Sequence, residues 1–356
     1  MEIKPLKIGN LVAKLPIIQG GMGVGVSLSK LAGAVARCGG IGVISAAQPG
    51  YKEEDFLKNN LEANVRALKN HIKKAKEISN GGIIGVNIMV AMERYDKFVK
   101  AAIDGGADLI ISGAGIPKDL PKIAKGYGIK LAPIVSSIKG AKLILRMWDK
   151  RVGVVPDLII VEGPRAGGHL GFKNDEIEEK IDCLEDEIIG IVEAKKEYEE
   201  KYNKEIPVIA AGGIFDGNDI AKFLKLGASG VQMGTRFVGT KECDASDEFK
   251  NAYVESTKED IVILKSPVGM PGRGMNNKFI KTLSTTGKIP IKRCYDCLIP
   301  CNPKDTPYCI SEALINAAKG DLDNGLVFCG SNAHRVDKIV TVENLMNELK
   351  EEILKA

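Results

Sequence analysis

The chain has 356 residues, with 50 Lys and Arg set against 46 Asp and Glu for a net charge of +4. These charges are interspersed without a basic stripe, which argues against nucleic acid as a partner. No N-terminal stretch has the layout of an export signal and no run reaches the roughly 18 apolar residues of a membrane span, so a soluble, cytoplasmic protein with no membrane partner is expected.

Eight short apolar runs follow one another: Leu15 to Met22, Gly40 to Ala47, Ile83 to Val90, Ala107 to Ala114, Lys130 to Ser137, Pro156 to Gly163, Pro207 to Gly213 and Gly230 to Phe237. They are rich in Val and Ile without strict alternation, the pattern of strands buried on both faces of a parallel sheet. Helix-like stretches separate them, at the spacing of right-handed βα units. The expected fold is α/β: a TIM-type (β/α)8 barrel over residues 1–240, with 241–356 as a smaller C-terminal lobe packing partly over the barrel mouth.

Between the first two strands, Ser27 is the expected N-cap of a helix with Leu28, Leu31, Ala32 and Val35 inward and Gly39 as its C-terminal stop. After the seventh strand, Asp216 is the expected cap, with Ile220, Phe223 and Leu224 inward. Two connections are longer. One predicts an extended solvated helix over Glu53 to Ile78, the other a charged helix over Asp182 to Tyr202 with Leu184, Ile188, Ile191 and Val192 as its buried stripe. Beyond Thr240 the pattern predicts a helix (Ala245 to Thr257), a Gly/Pro-rich turn (Ser266 to Arg273), a cysteine cluster, a short helix (Ser311 to Lys319) and a final helix (Val342 to Leu354).

In such a barrel the chemistry sits at the C-terminal tips of the strands. Gly212 and Gly213 close the seventh, and Gln232, Gly234 and Thr235 the eighth. Backbone N–H groups at these turns, beside helix N-termini, suit a phosphate, so a mononucleotide cofactor is expected. Past the sixth strand, EGPRAGGHLG spans Glu162 to Gly171. There Gly167 and Gly168 let the backbone approach a planar ligand, and His169 is placed to exchange a proton with a carbon acid. His71 and His334 read as structural. Only Glu162 is acidic at a tip and no tip carries Lys, which disfavours a phosphosugar isomerase; His169 likewise disfavours a non-catalytic flavin- or metal-binding barrel.

Cys294, Cys297, Cys301 and Cys309 crowd into sixteen residues, while Cys38, Cys183, Cys243 and Cys329 are scattered. Such density reads as a four-thiolate metal site, either a four-iron, four-sulfur cluster or tetrahedral zinc, with free structural thiols as the remaining reading.

The segments PIIQGGMG, GVNIM, EGPRAGGH, PVIAAGGI and QMGTRF, in this order, resemble the nitronate monooxygenase (2-nitropropane dioxygenase) family of FMN-dependent barrels, which includes the flavin-type enoyl-acyl-carrier-protein reductase II. The resemblance continues through MPGRGMNN and KGDLDNG. It implies non-covalent FMN. Gly20, Gly21, Met22 and Asn87 would lie along the isoalloxazine, Glu162 and Gly167 would hold the ribityl and ring edge, and Gly212, Gly213, Gln232, Gly234 and Thr235 would take the phosphate. His169 would be the proton-handling residue. Gln19-Gly20-Gly21-Met22 replaces the APM typical of monooxygenase members, and Glu162 stands where they often carry Gln, both closer to the reductase branch. The cysteine spacing resembles that of the iron-sulfur dienoyl reductases, with a shorter final gap. The implied activity is an FMN-dependent oxidoreductase of nitronate monooxygenase type, the alternative being an NAD(P)H-dependent enoyl reductase with an iron-sulfur cluster. The expected partners are a small-molecule substrate, nitronate or enoyl thioester, and a second copy of the chain in a homodimer.

Overall fold

The structure is a computed structural model describing residues 1–356. A hairpin of β1 (Leu6–Ile8) and β2 (Leu11–Ala13) leads into the first barrel strand, β3 (Ile17–Gln19). There follow β4 (Ile41–Ser45), β5 (Ile83–Met89), β6 (Leu109–Gly113), β7 (Lys130–Val135) and β8 (Ile159–Glu162). A two-residue strand β9 (Gly168–His169) precedes β10 (Val208–Ala211) and β11 (Gly230–Met233), and the lobe adds β12 (Ile261–Lys265) and β13 (Pro271–Met275). All eight apolar runs form barrel strands, each shorter than its run because the terminal small residues turn out into loops. The sheet closes where β11 pairs in parallel with β3, Val231 opposite Ile17 and Met233 opposite Gln19.

Two apolar layers result. Ile18, Ile41, Ile111, Ile160 and Ile209 fill the barrel interior, and Leu6 and Ile8 of the hairpin pack into the same cluster as a plug. The larger cluster lies between strands and helices, and Trp148 is fully buried in it. It includes Val342, Leu345, Met346, Leu349 and Ile353 of the final helix, Val342–Lys355. The helix directly after β11, Thr235–Val238, has only 4 residues. The final helix packs against the helices Ser29–Arg37 and Gly217–Lys225, and so covers the part of the outer ring that the short helix leaves open. No helix is long and apolar enough to cross a membrane.

Several local expectations change. Ser27 does not cap the first helix, because its hydroxyl accepts from the Met22 N–H at 2.8 Å. The Asp244 carboxylate does so from the lobe, accepting from the N–H groups of Leu28 (2.8 Å), Lys30 (3.3 Å) and Leu31 (3.2 Å). Asp216 caps Gly217–Lys225 as expected, in a reciprocal box with Asp219. The Lys-rich helix runs Asn60–Ser79 and buries Leu68 and Ile72, so it is amphipathic rather than solvated throughout. The charged helix is two, Leu184–Ala194 and Lys196–Tyr202. The last three residues of the predicted Gly/Pro turn, Pro271 to Arg273, are strand: β13 lies between β12 and β9, with Gly272 opposite His169.

Three helix N–H groups depend on one carboxylate, so Asp244→Ala should lower unfolding stability by about 2 kcal/mol. Asp244→Asn, which keeps one acceptor oxygen, should lose less. Urea midpoints measure both, and an unchanged midpoint in the Ala variant would mean that this cap contributes nothing.

Candidate active site

The C-terminal ends of β3, β5, β8, β10 and β11 open on one cavity of about 440 Å³. The lobe supplies its other wall, through Phe249, Tyr253 and the segment 328–332. Gly20, Gly21, Met22, Asn87, Glu162, Gly167, Gly168, His169, Gly212, Gly213, Gln232, Gly234 and Thr235 all line this cavity. Gln19 does not. Its amide side chain is fully buried and bridges to the backbone of Val43, donating to the carbonyl at 3.2 Å and accepting from the N–H at 3.1 Å.

One end is built from turns. Gly212 and Gly213 have φ of +94° and +84°, and a Cβ on either would meet Gly163 O or Arg165 Cβ at 2.8 Å, so only glycine fits both the conformation and the space. The lobe is tied to these turns: Asn332 Nδ2 donates to Gly213 O at 2.6 Å, and the Gly330 N–H donates to Thr235 Oγ1 at 3.3 Å. Here Gln232 Oε1 and Ser331 Oγ are buried without a hydrogen-bond partner. Buried polar atoms are rarely left so, and two on one cavity wall fit a polar ligand lying against them. Arg165 is the only Lys or Arg on the lining. The N-terminus of Gly217–Lys225 is already satisfied by Asp216, and the Arg165 guanidinium donates to Asp182 Oδ1 at 2.7 Å. Arg165, Ser331 and Asn332 were not singled out from the sequence; the Gly330-Ser331 step, a turn signal in the lobe, is the trace they leave there.

The same cavity also holds an ionisable pair, with Glu162 opposite Ala211 in the barrel register and so next to the glycine turn. Glu162 ends β8, and burial pushes its carboxyl up to about 7. His169 sits on β9, its Nε2 2.7 Å from Ser266 Oγ and its ring edge-on to Phe328 at 5.0 Å. Burial pulls this imidazole down to about 4, so it is neutral at physiological pH and able to accept a proton. Met89, Met92, Ile134, Met270, Leu314 and Leu326 make the remaining wall apolar.

The cysteine cluster is a correction. None of Cys294, Cys297, Cys301 and Cys309 lines the cavity, and no three His, Cys, Asp or Glu side chains converge on a point where an ion could be held. Neither the iron-sulfur nor the zinc site is assembled. Cys294 Sγ accepts from the Asp296 N–H at 3.4 Å, and burial pushes the Cys297 thiol up to about 12. The segment acts instead as a strap across the loop after β5, with Ile299 N–H donating to Ala91 O at 2.9 Å and Glu93 N–H donating to Cys297 O at 3.2 Å. Spacing along the chain suggested ligands; the fold uses the backbone between them.

Comparison with known proteins agrees with this geometry. The family model described as nitronate monooxygenase matches residues 4–352. A probable nitronate monooxygenase of Staphylococcus aureus (strain Newman) is 30% identical over 303 residues, covering 79% of this chain and 81% of that protein. One from Staphylococcus saprophyticus is 28% identical over 349 residues, covering 91% and 89%. Among solved structures, FabK from Thermotoga maritima superposes with a TM-score of 0.72 at 26% identity, covering 96% of this chain and 93% of that one. A nitroalkane oxidase from Streptomyces ansochromogenes shares the fold, with a TM-score of 0.72 at 21% identity and 96% of each chain covered.

Two outcomes follow from the site. Gly213→Val should weaken mononucleotide binding roughly 10- to 100-fold, since the strained turn must move, as read by fluorescence titration. For Glu162 the folded pKa exceeds the unfolded one, so its contribution to stability is complete at low pH and lost as pH rises toward 7. Glu162→Gln should therefore raise the Tm at pH 8 and leave it unchanged at pH 4. An equal gain at both would show that ionisation has no part in it.

Proposed function

The chain belongs to the nitronate monooxygenase family and is a flavin-dependent oxidoreductase, and on that footing we propose that it binds FMN non-covalently and oxidises nitronates and their parent nitroalkanes, with His169 as base. The observation that carries this reading is a histidine, His169, that lines the same cavity as the glycine turns and is the only histidine to do so. When bound, FMN would supply the redox chemistry. Gly212, Gly213, Gly234, Thr235 and Ser331 would surround its phosphate, with Arg165 as counter-charge. Gly20, Gly21, Met22 and Asn87 would flank the ring system. Glu162, carrying a proton near neutral pH, can donate to a ribityl or ring oxygen.

His169 would take the proton from the carbon bearing the nitro group, leaving the pair of electrons on the nitronate. A base held at about 4 is weak toward a carbon acid by itself. The nitronate anion forming beside it raises the imidazole pKa by direct charge attraction, so proton and anion stabilise one another until the anion is consumed. Met89, Met92, Leu314 and Leu326 would hold the alkyl part and keep water out, which strengthens that attraction.

The second reading is an NAD(P)H-dependent enoyl reductase, favoured by Gln19-Gly20-Gly21-Met22 and by Glu162 in place of Gln.

His169→Gln should keep bound, yellow FMN and lose turnover of neutral nitroethane by about 100-fold or more, while turnover of pre-formed ethyl nitronate changes little. Equal loss on both would remove the base assignment. Rapid anaerobic NADH oxidation by a crotonyl thioester, with no oxygen uptake on nitronate, would select the reductase.

A further inference from the structure

We propose that the segment carrying the four cysteines is a specificity element: it backs the apolar wall of the cavity, and the substrate selected there has an uncharged aliphatic tail whose length Leu298 limits. The inference rests on the reading of this cavity as the substrate site and narrows the substrate class.

The wall lies where barrel and lobe meet. Met89 ends β5 and Met92 lies on the loop after it, while Met270, Leu314 and Leu326 come from the lobe, and all five line the cavity. The cysteine segment stands behind them. Leu298 pairs with Met92 in an antiparallel bridge, which puts the two side chains next to each other on one side of the backbone. The Ile299 N–H donates to Ala91 O at 2.9 Å and the Glu93 N–H to Cys297 O at 3.2 Å, so the loop is held on both sides of Met92. Leu298 is 6% exposed and shares an apolar cluster with Tyr308, Ile310 and Leu326. Met89, Met270 and Leu314 pack against that cluster, and so do Cys297 and Cys301, which serve here as small apolar side chains. Leu298 itself does not line the cavity.

A tail lying on this wall meets nothing that could pair a charge. Arg165 is the one cation on the lining, and its guanidinium is held by Asp182 at 2.7 Å. A carboxylate on the tail would give up its water without a partner, whereas every methylene gains by leaving water. Methionine suits such a surface, because its unbranched, polarizable chain adapts to tails of different shape. How far the methionines can yield depends on what stands behind them. Beside Met92 that is Leu298.

The test uses FMN-loaded protein and straight-chain alcohols from 1-butanol to 1-octanol, with binding read by flavin difference spectra, so no turnover is needed. Affinity should rise about threefold per added carbon and level off once the wall is covered. 6-Hydroxyhexanoate should bind about tenfold or more weakly than 1-hexanol. Leu298→Ala should move the levelling point to longer alcohols, and Leu298→Val should move it the same way by less, a shift that a general loss of stability would not give. In turnover, kcat/KM for 3-nitropropionate should lie about tenfold or more below that of its uncharged isostere, 3-methyl-1-nitrobutane. Affinity independent of chain length, or 6-hydroxyhexanoate bound as tightly as 1-hexanol, overturns the tail assignment whether or not a variant folds. A levelling point that stays in place in either Leu298 variant overturns the role of the cysteine segment. Length-dependent alcohol binding by a protein inert toward nitroalkanes would end the functional reading and leave this one standing.

Discussion

The Arg273 guanidinium, buried in the lobe, donates from one nitrogen to the carbonyls of Pro164 and Ala166 at 2.5 and 2.6 Å. Those carbonyls belong to the loop between β8 and β9, with Glu162 on one side and His169 on the other. Charge-assisted bonds from a planar, rigid donor set a loop more firmly than neutral ones, and the flexible point charge of a lysine would not hold two carbonyls in the same way. The pairing of β9 with β13 continues the same attachment one residue further along. The ionisable end of the cavity thus depends on a contact between barrel and lobe, made outside the ring of strands.

Burial then does the electrostatic work. It moves Glu162 up and His169 down, and each shift favours the neutral form. Near neutral pH the cavity lining therefore holds little fixed charge besides Arg165, whose guanidinium is paired with Asp182. An anion entering such a space meets no carboxylate at full strength, and its own field raises the imidazole pKa.

The barrel was legible because strands buried on both faces must be apolar along their whole length, and nothing else in this chain has that pattern. The glycine turns at Gly212, Gly213 and Gly234 were legible for a related reason: a positive φ or a close approach leaves few residue types to choose from. What could not be read were contacts made across the chain. Ser27 looked like a cap, but the carboxylate that does the work is Asp244, 216 residues from Leu28. Arg165 and Ser331 were invisible for the same reason, since a charge or hydroxyl reveals its role only once the fold shows what it faces. The four cysteines erred in the opposite direction. Their spacing imitates a ligand set, yet no three of these side chains converge on an ion site, while the backbone between Cys297 and Ile299 pairs with Ala91 and Glu93.

Barrel and lobe contribute unequally to the glycine turns and to the surroundings of His169. Most of the cradle around Gly212, Gly213, Gln232, Gly234 and Thr235 comes from β10 and β11, with Ser331 and Asn332 closing it. Around His169 the balance reverses: Ser266 and Phe328 both belong to the lobe, and the barrel supplies only the loop that carries the imidazole. A lobe with other residues at those two positions could leave the nucleotide cradle intact while changing the basicity and surroundings of the imidazole. Chemistry of this kind resides in a site grafted onto a common barrel, and here the graft lies in residues 266–328.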